Sequence, residues 1–431
     1  MKFIQTLTQK WDGIDYPFLI AGSERVAFAD IAAQPSADLS AITAGDVVAL
    51  IGDFTPTAIL TLLQLIDLGA IVVPLTHETH HEHDYFFETA NVNFIVDGHT
   101  VTRRDADAQH PLAAQLAASG DPGLVLFSTG TTGRPKAILH NFGVFLRRFE
   151  TPRPTLRTLN FLLFDHIGGI NTLFHTLFNT GMIVAPNDRT VDSILDACRQ
   201  HAIEVLPTTP TFLRLMLMSG AIPDKVPDSL RIMTYGTERM DQPTLDRLCA
   251  LLPEVDFRQT FGMSELGIVR VKSKARDSLF MKVGGEGIET RVVDDVLQIR
   301  SQTRMLGYLN APSPFDDEGW YDTKDIVEEE DGYYKVTGRT GDVINVGGLK
   351  FMASEVERVA LEHPDVALVK AFGRDNPITG QHVEITVQPT ANSDFQKDAL
   401  VTFLKSKLQA HMRPKRVHIE AVKIGHRFKK A

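Results

Sequence analysis

At 431 residues the chain is too long for one ordinary hydrophobic core, so two or three domains are expected. Apolar residues make up 43% and charged residues 23%, which describes a soluble globular chain. The formal net charge of −10 argues against general nucleic-acid binding, which needs a basic face. No apolar run approaches the roughly 20 residues that span a bilayer. The N-terminal stretch from Met1 carries no leader-like apolar segment, so a cytoplasmic protein without a membrane span is expected. Cys198 and Cys249 lie in apolar helical patterns and are expected as core thiols in a reducing compartment.

The first readable unit is residues 46–74. A short apolar strand ends at Gly52, and Thr55-Pro56 marks a helix start, with threonine as cap and proline in the first turn. Apolar positions at Ile59, Leu60, Leu62, Leu63 and Leu65 carry the helix to Gly69, and Ala70–Pro74 is a second buried strand. Strand, helix and strand in this order predict a βαβ unit in a parallel sheet. The region 77–122 is polar, rich in His at its start and broken by Pro and Gly, and it predicts the least regular structure. Within it, His77 and His81 stand about one helical turn apart. No further cluster recurs at ligand spacing, so a solvated helix start is expected there and no metal site.

Leu124–Phe127 predicts a buried strand that delivers the loop Ser128-Thr-Gly-Thr-Thr-Gly-Arg-Pro-Lys136. Glycines let a backbone approach oxyanions closely, hydroxyls and N–H groups donate to them, and Arg134 and Lys136 offset their charge. The loop is not a Walker A motif, because no Gly-Lys pair is followed by Ser or Thr. The competing reading is a Ser/Thr/Gly-rich surface linker. Further along, Phe161–Phe164 predicts a strand before the turn Asp165-His-Ile-Gly-Gly169. The βαβ pattern recurs in helix 191–201 with strand 203–206, and in strand 231–235, helix 243–252 and strand 255–260.

Near residue 280 the pattern changes to short alternating runs through 284–301, which predict antiparallel strands in a small barrel-like layer. After Gly338-Arg339 come a hairpin, helix 354–361, strands 367–372 and 382–388, helix 395–408 and strand 416–422. That order predicts a separate small α+β domain. The expected fold is therefore α/β: a large N-terminal domain (1–338) of parallel βαβ subdomains plus a β-barrel-like layer, and a small mobile C-terminal lid (339–431).

The spacing Thr129-Gly-Thr-Thr-Gly-x-Pro-Lys136 resembles the phosphate-loop signature of the adenylate-forming superfamily of acyl-CoA synthetases, adenylation domains and luciferases. Further motifs match in the superfamily's order, from about residue 46 to the C-terminus. The resemblance makes Ser128, Thr129, Gly130, Thr131, Thr132, Gly133 and Lys136 the triphosphate cradle, with Thr131 among the catalytic groups. It places Tyr235-Gly236-Thr237-Glu238 against adenine and substrate. Thr260-Phe261-Gly262-Met263-Ser264-Glu265 resembles the family's Tyr-Gly-x-Thr-Glu, with Phe261 for Tyr and Ser264 for Thr. The implied roles are an aromatic face on adenine for Phe261, a hydroxyl near the α-phosphate for Ser264, and a Mg²⁺ ligand for Glu265. Gly262 lies at the nucleotide and Met263 at the acid.

Trp320-Tyr-Asp-Thr-Lys-Asp325 departs from the family pattern by Lys324 for Gly, and the resemblance puts Asp325 on the ribose hydroxyls, joined by Arg339. It implies a hinge at Gly341, a pantetheine tunnel lined by Gly347, and a catalytic lysine at Lys429, with Lys430 as the alternate register. His166, Gly168 and Gly169 match the acid-gate segment, the glycines leaving room for a ring or chain. A polar turn would use the same residues.

The resemblance implies an acid–thiol ligase that uses ATP and Mg²⁺. It would form an acyl-adenylate from an aryl or aliphatic acid and pass the acyl group to coenzyme A. An alternative is loading of the phosphopantetheine of an acyl carrier protein in trans. A third reading, from the departures at Phe261, Lys324 and the C-terminus, is a non-catalytic adenylate-binding homologue.

Overall fold

The computed structural model describes residues 3–128, 134–267, 269–390, 393–425 and 427–428. The chain forms two compact units. One comprises Met1–Pro207, Gly262–Ile268 and Ser301–Asp316, and the other comprises Thr208–Phe261, Val269–Arg300 and Asp317–Ala431.

The first unit is built on strands β1 (Val47–Ile51) and β2 (Ile71–Leu75), which pair in parallel and are buried on both faces. Helix α1 (Pro56–Leu68) joins them. It starts where the Thr55 hydroxyl accepts from the Ala58 N–H at 3.2 Å, and it stops where Gly69 takes φ 75°. β3 (Gly123–Phe127) adds to β2 in parallel, but β4 (Ala137–Asn141) runs antiparallel to β3, with the register Phe127↔Ala137. The sheet of parallel βαβ strands thus becomes mixed at this edge. The glycine-rich loop joins two antiparallel neighbours, and the short strand Gly307–Tyr308 continues the sheet beyond β4.

Residues 77–122 are more regular than their composition predicts. They hold a 3₁₀ turn His77–Glu82, a helix His83–Ala90, strands Phe94–Asp97 and Thr100–Arg103, and a helix Pro111–Ser119. Each element is too short to show a clear period, and Asn91 stops the first helix in the left-handed region at φ 55°. Among the described residues no group of three or more His, Cys, Asp or Glu is placed to hold a metal ion.

A second sheet of this unit includes Leu19–Ala21, Ile183–Ala185 and the two-residue strand Thr158–Leu159. Phe161–Phe164, expected as a strand, is loop instead. Its side chains are buried at 161, 163 and 164, and the Phe161 carbonyl accepts from Arg189 Nε at 2.8 Å. Burial without a ladder partner mimics a strand in sequence. Helices α2 (Ile167–Phe178) and α3 (Val191–Gln200) complete this region, and burial pushes the Cys198 thiol on α3 up to about 12.

In the second unit, helix α4 (Pro210–Met218) precedes the parallel strands β5 (Ile232–Tyr235) and β6 (Asp256–Gln259), which α5 (Gln242–Leu251) connects. The Arg214 guanidinium on α4 pairs with Asp241, the cap of α5. Burial alone would raise that carboxyl, but Arg214 and the hydrogen bonds from Thr244 together hold it at about 2. A six-stranded antiparallel layer follows, in which β7 (Tyr321–Glu330) and β8 (Tyr333–Arg339) form the longest hairpin.

Beyond β8 lie β9 (Val343–Val346), β10 (Leu349–Met352), α6 (Ala353–Leu361), β11 (Val366–Asn376), β12 (Gly380–Pro389), α7 (Lys397–Lys407) and β13 (Arg416–Ile419). Val356, Ile385, Val387, Leu400 and Leu404 centre a hydrophobic core made only of residues from 344 to 417. Among the described residues no helix is long and apolar enough to cross a membrane.

Candidate functional site

In the first unit the ends of the glycine-rich loop are described and its middle is not: Thr129, Gly130, Thr131, Thr132 and Gly133 lie outside the described residues. Ser128 and Lys136 close the loop. The Ser128 N–H donates to the Lys136 carbonyl, and the Lys136 N–H donates to Ser128 Oγ, both at 3.0 Å. Pro135 and Ala137 are held by a side chain that no motif singles out. Asn310 accepts from the Ala137 N–H at 2.9 Å and donates to the Pro135 carbonyl at 3.1 Å, and Tyr85 Oη also donates to that carbonyl at 2.8 Å.

Glu265 sits in the 3₁₀ turn Ser264–Leu266. Its Oε1 accepts from Tyr308 Oη at 2.7 Å, and its backbone carbonyl accepts from the Met305 N–H at 2.8 Å. The Lys136 ammonium lies 4.8 Å from the centre of the Tyr308 ring. Ser264 is held from below by His140 on β4, whose Nε2 donates to the Ser264 carbonyl at 2.6 Å. Burial drives the His140 imidazole down to about 4, so it is neutral at pH 7. A neutral ring that donates from Nε2 to a carbonyl leaves Nδ1 without a proton. Thus Lys136, Ser264 and Glu265 come together, and Tyr308, Asn310, Tyr85 and His140 are the supporting residues that motif reading missed. The only sequence signal for them was the closeness of Tyr308 and Asn310 in the chain, which has meaning only once the pairing of Gly307 and Tyr308 with β4 is known.

His166 caps α2: its Nδ1 accepts from the Gly168 N–H at 3.0 Å. A Cβ on Gly169 would lie 2.1 Å from the Leu163 carbonyl oxygen, so backbone fills the space beside it. A Cβ on Gly168 would meet Leu162 Cδ1 at 2.6 Å, the end of a flexible side chain. The double glycine lets the helix start pack on the preceding loop, a reason independent of any ligand.

In the second unit, Tyr235 is buried at the end of β5, and Gly236 approaches β6 so closely that a Cβ would lie 2.0 Å from Thr260 Oγ1. Thr237 follows at φ 70°, and Glu238 Oε1 accepts from the Thr211 N–H in the first turn of α4 at 2.6 Å. The helix cap Thr209 donates from its hydroxyl to the Phe428 carbonyl at 2.7 Å, and the Phe428 ring meets Phe212 edge-on. The first turn of α4 therefore holds both Glu238 and the residue before Lys429, while Lys429 and Lys430 themselves lie outside the described residues. Phe261 is half-buried; of the residues that follow it in the first unit, Gly262 is exposed and Met263 half-buried.

Asp325 and Arg339 come from separate motifs, yet they are register partners on β7 and β8, with Arg339 Nε donating to Asp325 Oδ1 at 2.8 Å. Burial raises the Asp325 carboxyl, and the guanidinium pulls the other way. Lys324, where the resemblance has glycine, takes φ 63°, which explains why a glycine suits the position. Its ammonium pairs with Asp322 at 2.7 Å. Gly347 at φ 63° and Gly348 at φ 87° form the exposed two-residue turn between β9 and β10. Gly341, in the 3₁₀ turn Thr340–Asp342, has nothing within 4 Å of where a Cβ would stand.

The chain belongs to the AMP-binding enzyme family: the family model matches residues 27–309, and the model of the AMP-binding enzyme C-terminal domain matches residues 355–423. Among curated proteins it resembles a fatty acid–[acyl-carrier-protein] ligase, MmaC, of Mycobacterium marinum, with 25% identity covering 71% of this chain and 64% of the relative. It also resembles 4-coumarate–CoA ligase 2 of Oryza sativa, with 26% identity covering 73% and 61%. Both matches span less than two thirds of the relative's length. Among solved structures, ATP-bound MatB from Rhodopseudomonas palustris superposes with a TM-score of 0.80 over 99% of this chain and 96% of that one. Identity there is 20%, and the likeness shows the shared fold.

Proposed function

We propose that this protein activates a carboxylic acid with ATP and passes the acyl group to a thiol. The acid's carboxylate attacks the α-phosphorus of ATP, pyrophosphate leaves, and the thiol then attacks the acyl carbonyl and releases AMP. The observation that carries this reading is the meeting at Tyr308 of Lys136, from the end of the glycine-rich loop, and Glu265, from the Thr260–Glu265 motif. Displacement between two anions needs neutralised charge more than covalent help, and a cation beside a metal-binding carboxylate supplies it.

Oxygen ligands suit Mg²⁺, and the half-buried Glu265 carboxylate, oriented through one oxygen, fits it. That ion would supply charge neutralisation at the phosphates. Ser128, Lys136 and Ser264 are assigned to the phosphates together with the loop Thr129–Gly133. Gly236, Thr237, Glu238, Phe261 and Gly262 are assigned to adenine, and Asp325 and Arg339 to ribose. Lys429 is the catalytic cation, supported by the anchoring of Phe428 on α4. His166, Gly168, Tyr235 and Met263 are assigned to an aryl or aliphatic acid.

The lid is residues 339–431, pivoting at Gly341, and the separate core of residues 344–417 supports that boundary. Coenzyme A is the proposed acceptor, with Gly347 lining its path. A carrier-protein thiol is the second reading, favoured by the name of the Mycobacterium marinum relative. Acid-dependent exchange of pyrophosphate into ATP across a panel of acids tests the first step. Thioester formation with coenzyme A and with a loaded carrier protein separates the two acceptors. Absence of exchange with every acid, despite nucleotide binding, would leave only an adenylate-binding protein.

A further inference from the structure

We propose that Tyr308 and Asn310 are positioning residues that hold the Glu265 carboxylate and the exit of the glycine-rich loop in fixed relation to each other. The inference rests on the ATP reading above and assigns work to two residues that reading leaves out. Gly307 and Tyr308 pair with Leu139 and Ile138 of β4, and the Leu309 N–H donates to the Ala137 carbonyl at 2.9 Å. The segment is therefore tied by its backbone to the strand that leaves the loop. Tyr308 ends the short strand, and Asn310 stands two residues further on, in the bend that follows. One of the two, Tyr308, reaches Glu265, and the other, Asn310, reaches Pro135 and Ala137.

Each contact is built for orientation. The phenol is 5% exposed, so its hydrogen bond to Oε1 is sheltered, and a carboxylate donated to through one oxygen has its rotation fixed. The Lys136 ammonium over the same ring is a second reason for the ring to stay in place. Asn310 uses both ends of its amide, accepting from one side of Lys136 and donating to the other, which sets where that lysine leaves the backbone. One short segment, tied by its backbone to β4, thus spaces a carboxylate from a cation, the two groups between which a metal-bound triphosphate would lie. Groups that orient a metal ligand typically change metal affinity by about tenfold to a hundredfold when removed.

The test uses the full chain, with Mn²⁺ as the probe metal and a non-hydrolysable ATP analogue, free Mn²⁺ being read by electron paramagnetic resonance. Tyr308→Phe should weaken nucleotide-dependent Mn²⁺ binding by about tenfold. It should leave analogue binding in EDTA unchanged, a split that general loss of structure would not produce. In a Glu265→Gln background the same change should have no further effect on Mn²⁺. Asn310→Ala, an exposed position, should weaken analogue binding with and without metal to the same degree. Equal Mn²⁺ affinity in wild type and Tyr308→Phe overturns the brace alone, as does an undiminished Tyr308→Phe effect in the Glu265→Gln background. A wild type that binds no Mn²⁺ with nucleotide sinks the ATP reading and the brace with it.

Discussion

Two carboxylates assigned to the same nucleotide live in opposite settings. Glu265, in the first unit, is half-buried on a short turn and meets a neutral hydroxyl, while Asp325, in the second, is buried and paired with a guanidinium on the next strand. A carboxylate beside a phenol keeps its negative charge for a cation. One beside Arg339 has that charge compensated and is left with acceptor lone pairs for neutral hydroxyls. The two settings suit the two roles proposed for these acids, a metal ligand and a ribose contact.

The largest expected effect lies outside that pair and tests the proposed catalytic cation. Lys429→Ala should cut acid-dependent pyrophosphate exchange by about a hundredfold to a thousandfold, the usual cost of losing one stabilising group on a developing anion. Thioester formation from a supplied acyl-adenylate should survive. Full exchange in Lys429→Ala with loss in Lys430→Ala would shift the register by one residue.

The turn that carries Glu265 has a titrating support, and Asp325 has none of that kind. Unfolded chain binds a proton at His140 near 6.5, whereas the folded protein resists until about 4. Its contribution is therefore intact above pH 6.5, and stability falls as pH drops towards 4, by at most about 3 kcal/mol. His140→Gln keeps a donor for the Ser264 carbonyl but does not titrate, so denaturant curves across pH 4–7 should lose that part of their slope. An unchanged slope would put the acid sensitivity elsewhere.

Exchanging charge for an amide separates the two acids directly. Asp325→Asn should raise the KM for ATP by about tenfold or more, because a charge-assisted bond worth about 1.5–3 kcal/mol is lost. Extra Mg²⁺ should not rescue it, and the melting temperature should fall as Arg339 loses its partner. Glu265→Gln should raise the Mg²⁺ requirement, be rescued by excess metal, and melt near the wild-type temperature. If both variants respond to Mg²⁺ alike, the division of roles is wrong.

The smallest effect concerns the bend that delivers Asp325. Lys324 at φ 63° carries a penalty of about 1 kcal/mol that glycine avoids. The exposed pair with Asp322 that Lys324→Gly gives up is worth less than that. Lys324→Gly should hold or gain up to about 1 kcal/mol in urea unfolding. A clear loss would mean the lysine side chain secures the bend.

Much of this architecture was legible from local signals. Thr55-Pro56 and Gly69 bracket α1, and Gly347-Gly348 turns β9 into β10. Where reading failed, a long-range partner decided. Phe161–Phe164 has the composition of a strand, but Arg189 takes the Phe161 carbonyl. β4 turns back against β3 after a loop whose ends are tied by Ser128 and Lys136.

By itself the sequence determined which residues cap and turn, because those properties depend on φ, ψ and hydrogen bonds within a few residues of each other. Only the tertiary structure decided that Tyr308 should meet Glu265 across 43 positions, or that Asp325 should fall opposite Arg339. Such pairings depend on strand register and on how a buried carboxylate is compensated, and both are settled by packing between segments that no local pattern connects.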